Sequence, residues 1–166
     1  EACNYLQPKF KKDPKNPLKI MAQFTNSNEE STDNLRAISA EECYNIFKRI
    51  SPEDCNYLGF DNVKARPEWM IITVLIVCPP QVRPSVAADS TLKCEDDLTF
   101  QYNTIINTNI QLKKQEEQGA PAHIINEMAD NLQNSVATLM NNELSSAIVS
   151  KHRSGRPIKA ISSRLK

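Results

Sequence analysis

Glycine, paired cysteines, long apolar runs and net charge are all scarce or missing in this sequence. Only three glycines accompany ten prolines, and no glycine-rich phosphate-binding loop is present. Twenty Lys and Arg residues balance twenty Asp and Glu residues, so no global field draws the chain to nucleic acid or to a membrane surface. Any argument from charge must therefore be local.

The cysteines and the apolar runs indicate in which cellular environment the chain resides. Five widely spread cysteines contain no Cys-x-x-Cys pair, which argues against a disulfide framework and fits a reducing, intracellular environment. The longest largely apolar run, residues 70–78, is far shorter than the roughly 20 residues that a membrane span needs. We expect a soluble chain without membrane insertion, and its 40% hydrophobic residues can fill one core.

Candidate catalytic groups are few. No nucleophile elbow, paired catalytic carboxylates or zinc quartet is found, and His123 is expected to be an exposed polar residue beside a turn. The acidic trio at residues 95–97 has the ligand chemistry for Mg²⁺. Carboxylates at the start of a helix are already explained by its macrodipole, so we favour helix capping.

The first part of the chain predicts short, mixed elements. Residues 7–18 hold three prolines and four lysines and indicate an extended, solvated arm. Residues 18–24 predict a short strand, and the polar residues 25–34 predict a flexible loop. Capping signals at Ser39 and Ser51, with Gly59 as a stop, predict two short helices in series.

A second apolar run predicts a strand. Residues 69–77 are rich in Ile, Val and Thr and lie between prolines, which favours a buried strand over a helix. The strand leads into residues 79–93, a proline-stiffened loop. Because proline fixes φ, we expect this loop to project with little freedom to rearrange.

Two matched seams predict an antiparallel helical hairpin over residues 95–142. Mostly apolar positions recur at alternating steps of four and three, as in a coiled coil. The seams comprise Leu98, Tyr102, Ile105, Asn109 and Leu112, then Ile125, Met128, Leu132, Ser135 and Leu139. Gln-Gly-Ala-Pro at residues 118–121 breaks the helix between them. The predicted fold class is α+β, with a small mixed base of short helices and a strand that carries this long two-helix coiled coil.

The last part of the chain holds the local positive charge. Residues 143–166 lose the apolar period, and six cations follow residue 150 without one acidic residue. A plain solvated surface and a phosphate-contacting segment both fit this composition.

Several motifs together resemble the largest subunit of RNA polymerase II. The strongest are Ala-Arg-Pro-Glu-Trp-Met-Ile at residues 65–71 and Pro-Pro-Gln-Val-Arg-Pro-Ser at residues 79–85. Further matches in the same order are Ile-Phe-Lys-Arg-Ile-Ser at 46–51, Glu-Asp-Asp-Leu-Thr at 95–99, Gly-Ala-Pro-Ala-His at 119–123 and Ser-Gly-Arg-Pro-Ile-Lys at 154–159. The resemblance covers nearly the whole chain.

The resemblance implies a place in the clamp of that enzyme, the mobile jaw that closes over DNA and the RNA–DNA hybrid. Residues 1–94 would be clamp head and core ending in the lid loop (79–93), residues 95–142 the clamp coiled coil, and residues 143–166 a rudder-like basic segment. The implied nucleic-acid-proximal residues of lid and rudder are Arg83, Lys151, Arg153, Arg156 and Lys159. The implied factor-docking residues at the hairpin tip are Gly119, Ala120, Pro121, Ala122 and His123.

The resemblance also implies what lies outside this chain. The family's catalytic motif Asn-Ala-Asp-Phe-Asp-Gly-Asp has no counterpart here, so we expect an inactive excerpt of a nucleotidyltransferase. Mg²⁺ and Zn²⁺ would belong to the parent enzyme and no cofactor to the excerpt itself. Cys3 resembles the last ligand of a zinc quartet whose other ligands would precede Glu1.

The implied setting is the nucleus. The implied partners are the other polymerase subunits, the DNA template, the RNA–DNA hybrid, a NusG-type elongation factor and initiation factors. The alternative is a free-standing helical-hairpin adaptor with no polymerase context.

Overall fold

The computed structural model describes residues 7–14, 16–24, 34–87, 93–143, 149–152 and 155–166. The chain divides into two compact units, Glu1–Leu75 and Ile76–Lys166. The functional division predicted from the sequence, at residues 94 and 142, stays a prediction. Within the described ranges no helix is both long and apolar enough to cross a membrane. The predicted flexible loop at residues 25–34 lies, except for residue 34, outside the described residues.

The first unit contains a three-stranded antiparallel sheet in the order β1-β2-β3. Its strands are β1 (Lys9–Lys12), β2 (Ile20–Phe24) and β3 (Asn34–Ile38). The predicted strand at residues 18–24 is confirmed, two residues shorter at its start. Within the predicted arm at residues 7–18, Lys9–Lys12 are exposed but form β1, because Lys9 pairs with Gln23 and Lys12 with Ile20. The one strand predicted for residues 1–38 was therefore an underestimate, since β1 and β3 are strands only through their pairing with β2.

Two short helices follow the sheet, as predicted. Helix α1 (Ala40–Lys48) begins after Ser39, whose side chain accepts the Glu42 amide proton. Helix α2 (Pro52–Tyr57) begins after Ser51 in the same way. It ends at Tyr57, and Gly59, two residues later, has a φ of 83°, a left-handed conformation that glycine adopts without steric penalty.

The predicted strand at residues 69–77 is wrong. Pro67–Met70 forms a 3₁₀ turn, and residues 71–79 belong to neither strand nor helix. The prediction rested on β propensity alone. A strand also needs a neighbouring strand with which to form hydrogen bonds, and none of the described segments pairs with this one.

The Arg-Pro-Glu-Trp motif has an internal structural role in this unit. The Arg66 guanidinium donates to the Glu68 carboxylate at 2.6 Å, to the Asn62 side chain and to the Ile50 carbonyl at 3.3 Å. The hydrogen bond with Arg66 lowers the pKa of Glu68, against the effect of burial. Arg66 thus joins the end of the α1 region to the 3₁₀ turn.

The second unit is built on a long helix pair. Helix α3 (Asp97–Glu117) and helix α4 (Ala122–Met140) pack against each other, so the predicted hairpin is confirmed. At about 1.5 Å per residue each helix is about 30 Å long. Strands β4 (Val86–Ala87) and β5 (Lys93–Cys94) pair antiparallel before α3, and helix α5 (Ile161–Leu165) ends the unit.

Burial along the two seams is uneven. Leu98, Tyr102 and Ile105 on α3 and Leu139 on α4 are buried, all at the end where α3 begins and α4 finishes. Towards the tip the remaining seam residues are half-buried or exposed, with Asn109 exposed. The core of this unit therefore lies at the base of the hairpin, where Ile158 and Ala160 are also buried.

Candidate nucleic-acid interface

Arg83, predicted to lie near nucleic acid, is held by contacts inside the second unit. Its Nε donates to the Cys78 carbonyl at 3.0 Å and its Nη1 to Thr99 Oγ1 at 3.1 Å. The guanidinium also lies 5.6 Å from the centroid of the Tyr102 ring, within the range of a cation–π contact. These contacts fix the start of the proline loop to the first turns of α3.

Tyr102 supports the same junction and was assigned only to the hairpin seam from the sequence. Its hydroxyl donates to the Ile76 carbonyl at 3.3 Å and accepts from the Cys78 amide at 3.2 Å. Burial raises the pKa of Tyr102, which keeps the phenol protonated and able to donate. Residues 76–83 thus enter the loop from a fixed starting point, while residues 88–92 of the loop lie outside the described residues.

The start of α3 collects two ion pairs. Asp96 is the N-cap and accepts the Leu98 amide proton at 2.9 Å, so the capping interpretation of the acidic trio is confirmed for this residue. One Arg164 nitrogen, Nη2, also donates to both oxygens of the Asp96 carboxylate, at 2.7 and 2.8 Å. Asp97 accepts from the Arg156 guanidinium at 2.8 Å and from the Lys159 backbone amide at 3.0 Å.

Asp96 is ionised in this setting. Burial of its carboxyl opposes ionisation, but the hydrogen bonds from Arg164 and from the Leu98 amide outweigh burial, and the pKa of Asp96 lies below its ordinary value. A lowered pKa means that the folded state prefers the carboxylate, so the stabilisation is present at neutral pH. It is lost as the pH falls below about 4 and through the folded-state pKa.

We predict that the free energy of unfolding of the Asp96→Asn variant depends less on pH, between pH 7 and pH 3, than that of the wild type. Asparagine keeps the N-cap but loses the charge that meets Arg164, so the free energy of unfolding should fall by about 1 kcal/mol at pH 7. The loss should shrink towards pH 3, below the ordinary Asp pKa of about 4, because there the unfolded wild-type chain takes up a proton that the folded carboxylate resists. Urea titrations at pH 7, 5 and 3 measure this difference, with Glu127→Gln on the exposed side of α4 as the control. An equal loss at all three pH values would contradict the assignment.

Asn142, which sequence patterns did not single out, fixes the basic segment to the base of the hairpin. Its side-chain nitrogen donates to the Ser150 and Ile158 carbonyls, both at 2.9 Å, and its oxygen accepts the Ser150 amide proton at 2.8 Å. The Ile158 amide also donates to the Ser150 carbonyl at 3.1 Å. Residues 150 and 158 are therefore adjacent, and Gly155, between them in sequence, has a φ of 80°.

The predicted basic residues differ in how they are engaged. Arg156 is paired with Asp97, although its side chain is still 53% exposed. Lys151, opposite Pro157, and Lys159, two residues further on, are both exposed. Neither ammonium group forms an ion pair within the described part of the chain. Arg153 lies outside the described residues.

A shallow cleft of about 540 Å³ opens beside these residues. Its walls carry both signs of charge, contributed by Glu95, Asp96, Asp97, Arg156, Lys159 and Arg164. Because most of these charges neutralise one another, the cleft itself has little net attraction for an anion. The unpaired positive charge of the described segment is concentrated on Lys151 and Lys159.

The hairpin tip is exposed, and two backbone hydrogen bonds fix its conformation. The Gly119 amide donates to the Glu116 carbonyl and the Ala120 amide to the Gln115 carbonyl, the two bonds of a Schellman cap. Gly119 has a φ of 66°, and Pro121 precedes the first residue of α4. The other predicted docking residues, Ala122 and His123, are exposed.

A metal site is not formed by the described residues. Among them no three His, Cys, Asp or Glu side chains cluster in a way that could hold an ion. Asp96 and Asp97 bind arginine side chains and backbone amides instead. Cys3, the predicted zinc ligand, lies outside the described residues.

The fold and this site define a mixed helix-and-strand chain whose long helix pair carries an anchored basic segment at its base. The family described as RNA polymerase Rpb1, domain 1 matches residues 1–166. The chain belongs to this family of RNA polymerase largest subunits.

A curated relative supports the same assignment. The chain is 48% identical over 169 residues to a protein described as DNA-directed RNA polymerase II subunit RPB1, from Euplotoides octocarinatus. The match covers 100% of this chain and 34% of that protein. The chain thus spans about a third of the length of the relative.

Proposed function

We propose that this chain is the clamp portion of the largest subunit of a nuclear DNA-directed RNA polymerase II, and that it grips nucleic acid during RNA synthesis. Membership of the Rpb1 domain 1 family and the identity to an RNA polymerase II subunit support this assignment. Nucleotidyl transfer, with its Mg²⁺, belongs to parts of the enzyme beyond this chain, since the aspartate motif is missing here.

The observation that carries the proposal is the pair Lys151 and Lys159. The anion-free segment presents both ammonium groups to solvent, while the neighbouring Arg156 and Arg164 are engaged by carboxylates. Lysines without a protein partner can replace the counterions of a phosphate backbone. Arg156 and Arg164, together with Asn142, hold the segment so that these lysines stand at a fixed place beside the hairpin base.

The proline loop fits a lid that separates RNA from template at the upstream edge of the hybrid. A separating element must resist displacement by the strands that it divides. Arg83 and Tyr102 supply that resistance at the start of the loop through four hydrogen bonds and a cation–π contact. Arg83 then acts mainly as a support of the lid, with contact to nucleic acid left to the loop residues beyond it.

The hairpin fits the clamp coiled coil, with its tip as a docking site for a NusG-type elongation factor and for initiation factors. The Schellman cap gives the tip a defined backbone, and residues 119–123 are largely open to solvent. The zinc site proposed for the parent subunit would use Cys3 with ligands from outside this chain. Other polymerase subunits complete the list of proposed partners.

We predict that exchanging both lysines for glutamine weakens binding to an RNA–DNA hybrid and reduces its salt dependence. Each lost phosphate contact lowers the slope of log K against log salt by about 0.7–0.9, so the Lys151→Gln, Lys159→Gln variant should lose about 1.5 from the slope. Fluorescence anisotropy at several salt concentrations measures it. Lys113→Gln, which removes an exposed lysine paired with Glu117 on α3, is the matched control. An unchanged slope, or an equal loss in the control, would refute contact through these two lysines.

A further inference from the structure

An exposed apolar segment of the first unit begins within the 3₁₀ turn and continues beyond it. Trp69 and Met70 are 59% and 57% exposed, and Ile72 and Val74 are 56% and 80% exposed. No charged residue occurs from residue 69 to residue 82. Isolated exposed apolar side chains are common, but a contiguous uncharged group of them marks an interaction surface.

The backbone of the same segment is also unpaired. The Ile71 amide bonds back to the Glu68 carbonyl, and the backbone groups of residues 72–75 make no hydrogen bond to any other described residue. Ile, Thr, Val and Leu at these positions favour extended structure. The backbone bends at residues 71, 73 and 74, and once it is drawn out to an extended conformation its free amides and carbonyls can accept a neighbouring strand.

We propose that residues 71–75 pair with a β-strand from the part of the largest-subunit polypeptide that lies outside this chain. This surface is independent of the nucleic-acid role proposed above. Apolar side chains occur at successive positions, not only at alternate ones, which is the pattern of a strand covered on both faces. The occupant is therefore an apolar strand and not a charged peptide or a nucleic acid.

Two observations favour the same polypeptide over a separate molecule. The match to the RNA polymerase II subunit covers 34% of that protein, so most of such a polypeptide lies outside the matching region. Pairing with a strand of the same polypeptide costs only the entropy of closing a loop, which grows slowly with loop length. Pairing with a separate protein also costs the translational and rotational freedom lost on association. A permanently covered surface also needs none of the charged residues that keep a transient interface soluble.

Photocrosslinking in the assembled polymerase tests the identity of the occupant. The full-length subunit carries p-benzoylphenylalanine in place of Val74, and the crosslinked peptide is identified by mass spectrometry. We expect a crosslink to a segment of the same polypeptide outside these 166 residues. The control carries the same photo-residue in place of Val63, which is 77% exposed in a turn of the same unit. Capture of another subunit, of a second copy or of nothing, or the same crosslink from the control, would overturn the proposal.

Hydrogen exchange tests the pairing itself. In the assembled polymerase, amides of residues 72–75 should exchange at least about 100-fold more slowly than in an unstructured peptide of the same sequence, as for paired strands within a stable unit. Fast exchange together with the expected crosslink would show that the occupant contacts only side chains, and would refute strand addition.

Discussion

Replacing Leu139 by alanine is expected to lower the free energy of unfolding of the second unit by about 2–5 kcal/mol, the usual cost of a cavity at a fully buried leucine. Leu139 is 0% exposed near the end of α4, where Leu98 is 1% exposed at the start of α3. The core of this unit is narrow and confined to the hairpin base, so few neighbours are available to fill the space. Urea unfolding followed by circular dichroism at the helix band measures the loss.

Two further variants make the Leu139 result interpretable. Ile110→Ala on α3, where Ile110 is 58% exposed, should cost less than about 1 kcal/mol because little apolar area leaves a buried site. Leu139→Met should cost less than about 1.5 kcal/mol, since it conserves volume, and it remains measurable if the alanine variant fails to fold. Equal costs for Leu139→Ala and Ile110→Ala would show that the hairpin base is not the core.

Asn142→Ala is expected to release the basic segment from the hairpin, at a cost of about 3 kcal/mol. Three backbone groups, the Ser150 amide and the Ser150 and Ile158 carbonyls, lose their bonds to the side chain. A buried polar group left without a partner costs about 1–3 kcal/mol, and the Ser150 carbonyl retains its bond from the Ile158 amide. Urea unfolding gives the global cost, and amide exchange at Lys151 and Ile158 reports the local release.

The Asn142 prediction has its own controls. Asn126→Ala, at an exposed position of α4, should leave stability unchanged or slightly higher, because alanine is the better helix former. Asn142→Asp keeps the acceptor but cannot donate to the two carbonyls, so it should also be destabilising. Wild-type exchange at Ile158 in both Asn142 variants would mean that the segment is held by other contacts.

The helix ends were predictable because each is decided within a few residues. Ser39, Ser51 and Asp96 accept amide protons two or three residues ahead, and Gly59 and Gly119 adopt positive φ just after a helix. These interactions need no distant partner. The hairpin itself followed from the same locality, since its two seams and its break are close along the chain.

The roles of individual charges were less predictable. The resemblance implied one nucleic-acid-proximal role for Arg83, Arg156 and Lys159, yet Arg83 bonds to Cys78 and Thr99 within its own unit. Arg156 binds Asp97 at 2.8 Å across 59 residues of sequence. Such pairing depends on which acidic group lies nearby in space. For the same reason Asn142 carried no signal in the sequence, because its three partners are eight and sixteen residues away.

The sequence by itself determined the local features of this protein: its helix starts and stops, the two helical seams, the scarcity of glycine and the basic end. These features depend on neighbours within about one or two helical turns. Only the tertiary structure decided which of the described cations form ion pairs, and whether residues 69–77 form a strand. Both outcomes depend on a partner brought close by folding. For residues 71–75 we infer that the partner lies in another part of the polypeptide, which is why a strong strand signal coincides here with exposed side chains and an unpaired backbone.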